Sequence, residues 1–503
     1  MPSVTQFYAG LLLSLFSLCI NDAAAISRLA NRADLGHMLA KRSDNWSSAT
    51  TISFPGSAIF SNATERWTTF SAPTYSAAIS PANENDLANI VKYATGNNIS
   101  FLATGGRHGY TTTYKNLQNG LAIDLSRLDT LEVNATSGTL TVGPGVTIGE
   151  VIQPLFDAGL TIQTGSCPCP SLIGVTVGGG VGRYQGSYGL VIDALVSVRM
   201  VTAKGEIIHV SEDSHPDLFW AIRGAGSNFG IITSATYEAH PLTDDGDIFV
   251  GEFIVPSGRE SEYFELLERM SPIPAELASF MFINYNSTSN RTQAQVQWTY
   301  KGHEEAARKA LAPILNFGLE ITLLETRKWT QLISDIFGIG MDAICAPGFP
   351  RNLYSWNLKQ YSATTYKTSF TKMVDFFANY PRGRNSYLGY EFFPNQAMAA
   401  VPLDQTAFPW RDSTGYINYN VVFEEGDNVT EAASTALGLE LRKDLVATSG
   451  YPELTVFVSY AHGDEKLEQI YSKEKLPRLA SLKKIWDPQQ VFNYNNGLPT
   501  QYP

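Results

Sequence analysis

Short apolar runs alternate with amphipathic helical patterns through the first half of the chain. Apolar residues recur at helical spacing just before a short apolar run that has the length of a buried strand. This run leads into a turn that contains Gly105 and Gly106. Thr147 precedes a second helical pattern and is predicted to cap it. The predicted elements are a helix at 85–94, strands at 99–103, 121–125 and 139–142, and a helix at 148–158.

The pattern changes at about residue 246, where longer segments alternate between apolar and polar positions. Val296, Trp298 and Tyr300 alternate with Gln and Thr, which gives this segment one buried and one polar face. Such segments predict an antiparallel sheet, and helical patterns such as 304–316 predict helices that cover it. A last helix is predicted from residue 467 to just before Asp487. The predicted strands are 248–255, 278–285, 293–300, 387–393, 416–423 and 454–460.

The N-terminus has the features of a secretory signal. A short apolar core at 9–16 precedes Ala23, Ala24 and Ala25, which are small residues suited to cleavage. The core is too short to span a bilayer comfortably, so we expect residues 1–25 to be removed and the product to be secreted without a membrane segment. Residues 26–72 form an N-terminal segment. Within this segment, the dibasic pair Lys41 and Arg42 either marks the end of a pro-region or is a chance pair in a solvated linker.

The composition is that of a globular protein with more than one domain. Of 503 residues, 44% are hydrophobic and only 17% are charged, which argues against disorder. The 36 Lys and Arg residues face 48 Asp and Glu residues, for a net charge of −12, and no basic cluster exceeds two residues. A nucleic-acid partner is therefore not expected. We expect a monomer.

Cysteines and sequons agree with a secretory product. Cys19 lies within the predicted signal, and the three remaining cysteines, Cys167, Cys169 and Cys345, cannot all pair with one another. One thiol is therefore left for other chemistry. The asparagines in N-x-S/T sequons are Asn45, Asn62, Asn98, Asn134, Asn286, Asn290 and Asn428.

Two glycine-framed segments carry the candidate chemistry. Residues 104–109 hold His108, and residues 165–182 hold Cys167 and a run of glycines. Glycine lets the main chain approach a ligand closely, and consecutive backbone amides bind anions such as a pyrophosphate. Arg183 occupies the position where a dinucleotide fingerprint would need its last glycine, so a Rossmann fold is a poor match. Neither a zinc-binding H-E-x-x-H nor a G-x-S-x-G hydrolase motif occurs, and no metal is expected.

Two longer strings extend these motifs. Residues 189–193 read G-L-V-I-D, and residues 217–226 read D-L-F-W-A-I-R-G-A-G. With the glycine segments, they make the chain resemble the berberine-bridge-enzyme branch of the vanillyl-alcohol-oxidase flavoprotein superfamily over roughly residues 70–500. The resemblance implies an α+β fold: a PCMH-type FAD-binding domain at 73–245 and an antiparallel-sheet substrate domain covered by helices at 246–462. The segment 463–503 is expected to return to the FAD domain.

The resemblance also implies residue roles. His108 matches the residue that binds the 8α carbon of FAD, and Cys167, eleven positions before Gly178, matches the one that often binds C6. Arg107 departs from the family, which usually has glycine there, and Trp410 stands where His is frequent. The residues expected to bind FAD are Gly105, Gly106, Arg107, His108, Gly109, Cys167, Gly174, Gly178, Gly179, Gly180, Gly182 and Ile231.

The substrate site is expected on the strand that contains Tyr416, Asn418 and Tyr419, which the family has above the flavin. Alternation places Tyr416 and Asn418 on one face and Tyr419 on the other. A tyrosine can act as general base for an alcohol proton while hydride leaves, so Tyr416 is the expected base, with Tyr419 and Glu391 as alternatives.

The sequence therefore predicts an FAD-linked oxidase that passes electrons from a small organic substrate to O₂. By resemblance, we expect a secondary-metabolite intermediate that undergoes alcohol or amine oxidation or oxidative cyclisation. One alternative is a secreted oligosaccharide oxidase, which an open groove rich in Trp and Tyr would favour over an enclosed apolar pocket. Another is a cyclisation catalyst in which the flavin is structural.

Overall fold

The computed structural model describes Leu39, residues 46–333 and residues 335–503. The predicted signal, the dibasic pair and the sequon at Asn45 lie outside the described residues. The strands of the described part are β1 Thr51–Ser53, β2 Tyr75–Ser80, β3 Phe101–Thr104, β4 Gly120–Asp124, β5 Leu131–Asn134, β6 Thr139–Val142, β7 Leu160–Thr161, β8 Leu195–Val201, β9 Ile207–Ser211, β10 Ile231–Glu238, β11 His240–Pro241, β12 Asp247–Ile254, β13 Leu277–Asn286, β14 Arg291–Lys301, β15 Glu320–Lys328, β16 Asp335–Ile336, β17 Ile339–Gly340, β18 Arg351–Leu358, β19 Tyr387–Phe392 and β20 Gly415–Val422.

Helices lie between these strands and cover the sheets. Those of the described part are α1 Ala58–Thr64, α2 Glu84–Gly96, α3 Ile148–Asp157, α4 Leu172–Thr176, α5 Gln185–Tyr188, α6 Pro216–Ala225, α7 Glu260–Met270, α8 Glu304–Ala310, α9 Ala312–Leu315, α10 Met341–Cys345, α11 Ala363–Asn379, α12 Gln396–Ala400, α13 Asn428–Val446, α14 Leu467–Tyr471 and α15 Leu476–Trp486. Among the described residues, none of these helices is long and apolar enough to cross a bilayer.

The first half of the chain folds around two sheets. One has the order β1-β2-β4-β3, with parallel pairing of β4 to β2 and β3, and the other is antiparallel in the order β5-β6-β10-β8-β9. The predicted helix at 148 begins at Ile148, where the Glu150 carboxylate accepts hydrogen bonds from the backbone and hydroxyl of Thr147. Near the C-terminus, Phe492 packs edge-on against Phe101 of β3, with ring centroids 5.7 Å apart.

The second half forms the predicted antiparallel sheet. Its order is β15-β12-β14-β13-β19-β20-β18, and helices α7, α11 and α13 pack on one face. Alternation divides each strand: Met281 and Ile283 of β13 belong to the helix-covered core, whereas Phe280, Phe282 and Asn284 face the other way and line a cavity. The mixed helix-and-sheet fold class is confirmed.

Three predicted elements differ in detail. The helix at 304–316 is divided into α8 and α9, and the helix from 467 is divided into α14 and α15. The strand predicted at 454–460 is wrong. Within it, the Val456 amide donates to the Gln469 carbonyl at 2.9 Å and the Phe457 amide to the Asn357 side chain at 3.1 Å, so these amides join no strand ladder. The segment ends in a 3₁₀ turn at Val458–Tyr460.

Candidate active site

A cavity of about 790 Å³ lies between the two halves of the chain. Residues 101–111, parts of 165–177 and parts of 491–495 line one side, and β13, β19 and β20 line the other. The volume is near the upper end of the range for pockets that enclose small molecules. The cavity therefore has room for a large ligand between the sheets.

His108 lies in the wall of this cavity. The turn after β3 brings its ring into a stack with Trp67, with centroids 5.4 Å apart and planes 24° apart. Burial lowers the pKa of His108 to about 4, and the nearby charges of Arg351 and Arg66 act in the same direction. The imidazole is therefore neutral at neutral pH, which is the form that can act as a nucleophile.

Arg107 lines the wall, and its guanidinium is paired with protein groups. Its guanidinium forms a salt bridge with Asp124 at 2.8 Å and donates to the Glu65 carbonyl at 3.0 Å. Its φ is 55°, in the left-handed region that favours glycine, which accounts for the glycine that the family usually has here. The charge of Arg107 is thus paired with that of Asp124.

Three cysteines meet at this wall. Cys169 and Cys345 form a disulfide, with Cα atoms 5.9 Å apart, and the Cys167 sulfur lies 3.3 Å from that of Cys169. Cys167 is a free thiol that lines the cavity. Burial raises its pKa, while a hydrogen bond from the Cys169 backbone and the charge of Arg183 oppose that rise.

The wall fits the FAD that the resemblance implies. A neutral imidazole and a thiol, the two nucleophiles that the implied attachment needs, both line the cavity. Of the twelve residues expected to bind FAD, those that line the cavity are Gly105, Gly106, Arg107, His108, Gly109, Cys167, Gly174 and Ile231.

The glycine run at 178–182 needs a correction. Gly178, Gly179, Gly180 and Gly182 are not among the residues that line the cavity, so they do not form the expected cradle. Their neighbours are protein atoms: a Cβ on Gly182 would meet the Thr164 carbonyl, and Gly179, at φ +131°, has the Phe408 ring against it. These glycines permit close packing of chain segments instead.

The two tyrosines of the expected substrate strand lie on β20, but neither belongs to the cavity lining. Tyr416 is fully buried outside the cavity lining, with its hydroxyl 3.5 Å from Gln185 Oε1 and 3.9 Å from Met398 Sδ. Tyr419 is on the opposite face of β20, in the helix-covered core. The expectation that Tyr416 or Tyr419 acts as base is therefore not supported, since neither hydroxyl reaches the cavity.

Asn418 faces the cavity, as alternation predicted, together with Asn420. The Oδ1 atoms of Asn418, Asn420 and Asn284 are buried and have no hydrogen-bond partner among the described residues. Asn420 donates through Nδ2 to the Tyr387 hydroxyl at 2.9 Å, and Asn284 donates to Gln295 at 2.6 Å. These amides provide unsatisfied polar atoms for a ligand.

Glu391 and Tyr460 form a hydrogen-bonded pair in the wall of the cavity. Both line it, and the Tyr460 hydroxyl donates to the two carboxylate oxygens of Glu391 at 3.2 and 3.1 Å. Burial raises the pKa of Glu391 to about 8, although the Tyr460 hydrogen bond and the charge of Arg183 lower it. The ring of Tyr110 stacks on Tyr460, with centroids 6.3 Å apart. Sequence reasoning gave Tyr460 no role, because the pair is separated by 69 residues.

An apolar cover closes part of the cavity. The Trp67 indole donates to the Ile344 carbonyl at 2.8 Å, the Phe337 amide donates to Glu252 at 2.8 Å, and Cys345 carries the disulfide. These contacts connect the cover to segments on both sides of the cavity. It consists of the cavity-lining residues Leu332, Ile333, Ile336, Phe337, Ile339 and Ile344.

Two family models and a similar protein match the chain. A model described as an FAD binding domain matches residues 75–211, and one described as berberine and berberine like matches residues 456–499. The FAD-linked oxidoreductase fogF of Aspergillus ruber is 43% identical over 478 residues, which cover 94% of this chain and 96% of that protein.

Solved structures share the fold. Physcomitrella patens BBE-like 1 superposes with a TM-score of 0.80 at 23% identity, over 93% of this chain and 100% of that chain. Glucooligosaccharide oxidase from Acremonium strictum, described with a 6-S-cysteinyl, 8α-N1-histidyl FAD, has a TM-score of 0.77 at 22% identity, over 90% of this chain and 98% of that chain. At these identities the likeness extends to the fold alone.

Proposed function

This chain belongs to the berberine-bridge-enzyme-like family of FAD-linked oxidoreductases, and we propose that it oxidises an alcohol group on a small aromatic or apolar metabolite, with O₂ as the final acceptor. The observation that carries the proposal is the hydrogen-bonded pair of Glu391 and Tyr460 inside a cavity with an apolar cover. The pair supplies a proton acceptor, and the cover selects for size and polarity.

The apolar cover supports a metabolite over a sugar. Its aliphatic and aromatic side chains, with Phe280 and Phe282 from β13, remove water from the space next to Glu391. An oligosaccharide would place hydroxyl groups against these apolar side chains, which would leave the hydroxyls without partners. A flat aromatic ring would gain from the same contacts.

Residues on the cavity wall that contains His108 and Cys167 would hold the cofactor. We propose that His108 and Cys167 each form a covalent bond to FAD, because a neutral imidazole and a thiol both line the cavity. We also propose that residues 73–245 and 463–503 form the FAD-binding unit and residues 246–462 the substrate unit. Bound FAD supplies the hydride acceptor.

The proton leaves through Glu391 and Tyr460. As hydride leaves the carbon of the alcohol, the hydroxyl proton passes to this pair, and the Glu391 carboxylate ends up protonated. Tyr460 orients the carboxylate through its hydrogen bonds to both oxygens, and Tyr110 limits the motion of the Tyr460 ring. Removal of water by the apolar cover favours the neutral form of the carboxyl, which is the form that results from proton transfer.

An oligosaccharide oxidase remains the second candidate. Unpartnered amide oxygens on Asn284, Asn418 and Asn420 would accept hydrogen bonds from sugar hydroxyls. The similar structure of glucooligosaccharide oxidase has the same fold. A peroxide-release screen of purified protein separates the two candidates. We expect turnover of substituted benzyl alcohols and none of cello- or xylo-oligosaccharides, and the reverse result would replace the metabolite proposal.

We also propose that the protein is secreted and glycosylated. The N-terminal sequence supports this, and most described sequon asparagines are exposed. Asn286 is the exception among them, because it is partly buried and its Nδ2 donates to Gln293 at 3.0 Å. The exposed sequon asparagines are Asn62, Asn98, Asn134, Asn290 and Asn428.

A further inference from the structure

Arg183 is a buried cation in the wall of the cavity. It comes directly after the glycine run in the sequence and lines the cavity, and the residue is only 7% exposed. Its guanidinium lies over the ring of Phe280, 4.4 Å from the centroid, and Nη2 donates to Gln297 Oε1 at 3.1 Å. The buried Nε atom has no hydrogen-bond partner among the described residues.

No counter-charge touches this guanidinium. In the described parts of the chain, no carboxylate oxygen lies within 4.0 Å of its nitrogens. Gln297 is neutral, and its own Nε2 donates to Glu252 Oε1 at 2.8 Å, an oxygen that also accepts from the Phe337 amide. Burial lowers the pKa of Arg183 only to about 10, so the side chain is charged at neutral pH. Buried charges are normally paired.

The groups around Arg183 do not neutralise its positive charge, so that charge is available to a ligand. Glu391 and Cys167 influence it electrostatically without forming an ion pair with it. Both side chains have raised pKa values because of burial, so each favours its neutral form near pH 7. An anionic ligand beside Arg183 would therefore meet its positive charge and little opposing charge from these two groups. Phe280 and Phe282 provide an aromatic surface beside it.

We propose that Arg183 is the anchor for an oxyanion conjugated to an aromatic ring, so that the substrate is an aromatic alcohol that carries a carboxylate or phenolate group. This inference deepens the proposed function and depends on it. The unpartnered Nε provides a donor for the oxyanion, and a charge-assisted hydrogen bond in a buried site is stronger than a neutral one. Phe280 and Phe282 contact the ring that bears the anion. Arg183 then fixes which end of the substrate faces Glu391.

Equilibrium binding to the holoenzyme tests this proposal. The probes are benzoate and benzamide, which have the same shape and differ in charge, and their dissociation constants are measured by calorimetry. We expect wild type to prefer benzoate. We expect Arg183→Met to raise the dissociation constant of benzoate by about 10- to 100-fold, as for loss of a hydrogen bond to a charged group. The dissociation constant of benzamide should change by less than about threefold, well below that range. Arg183→Lys should retain part of the preference, because it keeps the charge without the planar donors.

Arg384→Met is the matched control. Arg384 also lines the cavity, but its guanidinium lies over Tyr285 and its Nε donates to the Phe377 carbonyl at 3.0 Å. We expect this variant to keep the benzoate preference. Equal loss of both probes in Arg183→Met would mean that the residue acts by packing, and this overturns the proposal.

Two further results would also overturn it. One is a wild-type protein that binds benzoate no better than benzamide, a measurement that requires no variant to fold. The other is an Arg183→Met protein with unchanged benzoate affinity that has lost FAD or has an altered pH profile of flavin reduction, since the guanidinium would then serve the cofactor or Glu391. Reduction of the wild-type flavin by uncharged benzyl alcohol separates failure of this inference from failure of the proposed function, because the proposed function predicts that reduction whether or not Arg183 binds an anion.

Discussion

Replacement of Glu391 by Gln tests the acid–base pair directly. The amide keeps the size of the side chain and can still accept a hydrogen bond from Tyr460, but it cannot accept the substrate proton. General-base catalysis contributes about 10²- to 10⁴-fold to rate, or about 3 to 5 kcal/mol of activation free energy. We therefore expect Glu391→Gln to slow flavin reduction by an amount in that range, with FAD content and reoxidation by O₂ unchanged.

The pH dependence provides the sharper evidence. Burial raises the pKa of Glu391 to about 8, so the carboxylate that accepts the proton increases as pH rises. About a tenth of the groups are ionised at pH 7 and about nine-tenths at pH 9, so wild-type reduction should become roughly tenfold faster over this interval. Glu391→Gln should have no such rise. Anaerobic stopped-flow absorbance at several pH values measures both effects.

Tyr416→Phe is the control for this experiment. Tyr416 is the strand partner of Glu391 in the β19–β20 register, but its hydroxyl lies outside the cavity lining. The rate of flavin reduction in Tyr416→Phe should stay within about threefold of the wild-type rate, far below a general-base effect. Tyr460→Phe should reduce its flavin more slowly. A Glu391→Gln variant that reduces its flavin at a rate within about threefold of wild type, with the same rise with pH, would exclude Glu391 as the base.

Three other predictions concern the cofactor, the cover and secretion. Denatured wild type should retain yellow flavin, each of His108→Ala and Cys167→Ala should keep one covalent bond, and the double variant should release free FAD on acid precipitation. Cys345→Ser should lower the unfolding free energy by about 2–5 kcal/mol, as for loss of a disulfide, and calorimetry should record a lower Tm than for wild type. Mass spectrometry of secreted protein should find glycans and a start after Ala25, or near Ser43 if the dibasic pair is cleaved; a full-length unglycosylated chain would contradict this.

Local patterns predicted much of the fold because their causes are local. The strand at Thr139–Val142 and the helix that begins at Ile148 follow from residue periodicity and from the cap that Thr147 forms with Glu150. Strand alternation also separated Asn418 from Tyr419 correctly between the two faces of β20. Covalent attachment through His108 stays a prediction.

Other features depend on contacts between distant segments. Alternation gives the face of Tyr416 but not its depth, and Gln185 and Met398 cover its hydroxyl. The glycines at 178–182 have the same sequence signal whether a ligand or another chain segment approaches them. Tyr460 reaches Glu391 through a segment whose amides bond to a carbonyl of helix α14 and to a side chain, which no strand pattern could reveal.

The most direct test of the central claim is anaerobic titration of purified holoenzyme with substituted benzyl alcohols, followed by admission of O₂. We expect such an alcohol to bleach the bound flavin in stoichiometric amount and to form the corresponding carbonyl compound, with peroxide produced when O₂ is admitted. A flavin that stays oxidised with these alcohols, and is bleached by oligosaccharides or by no compound of either class, would contradict that claim.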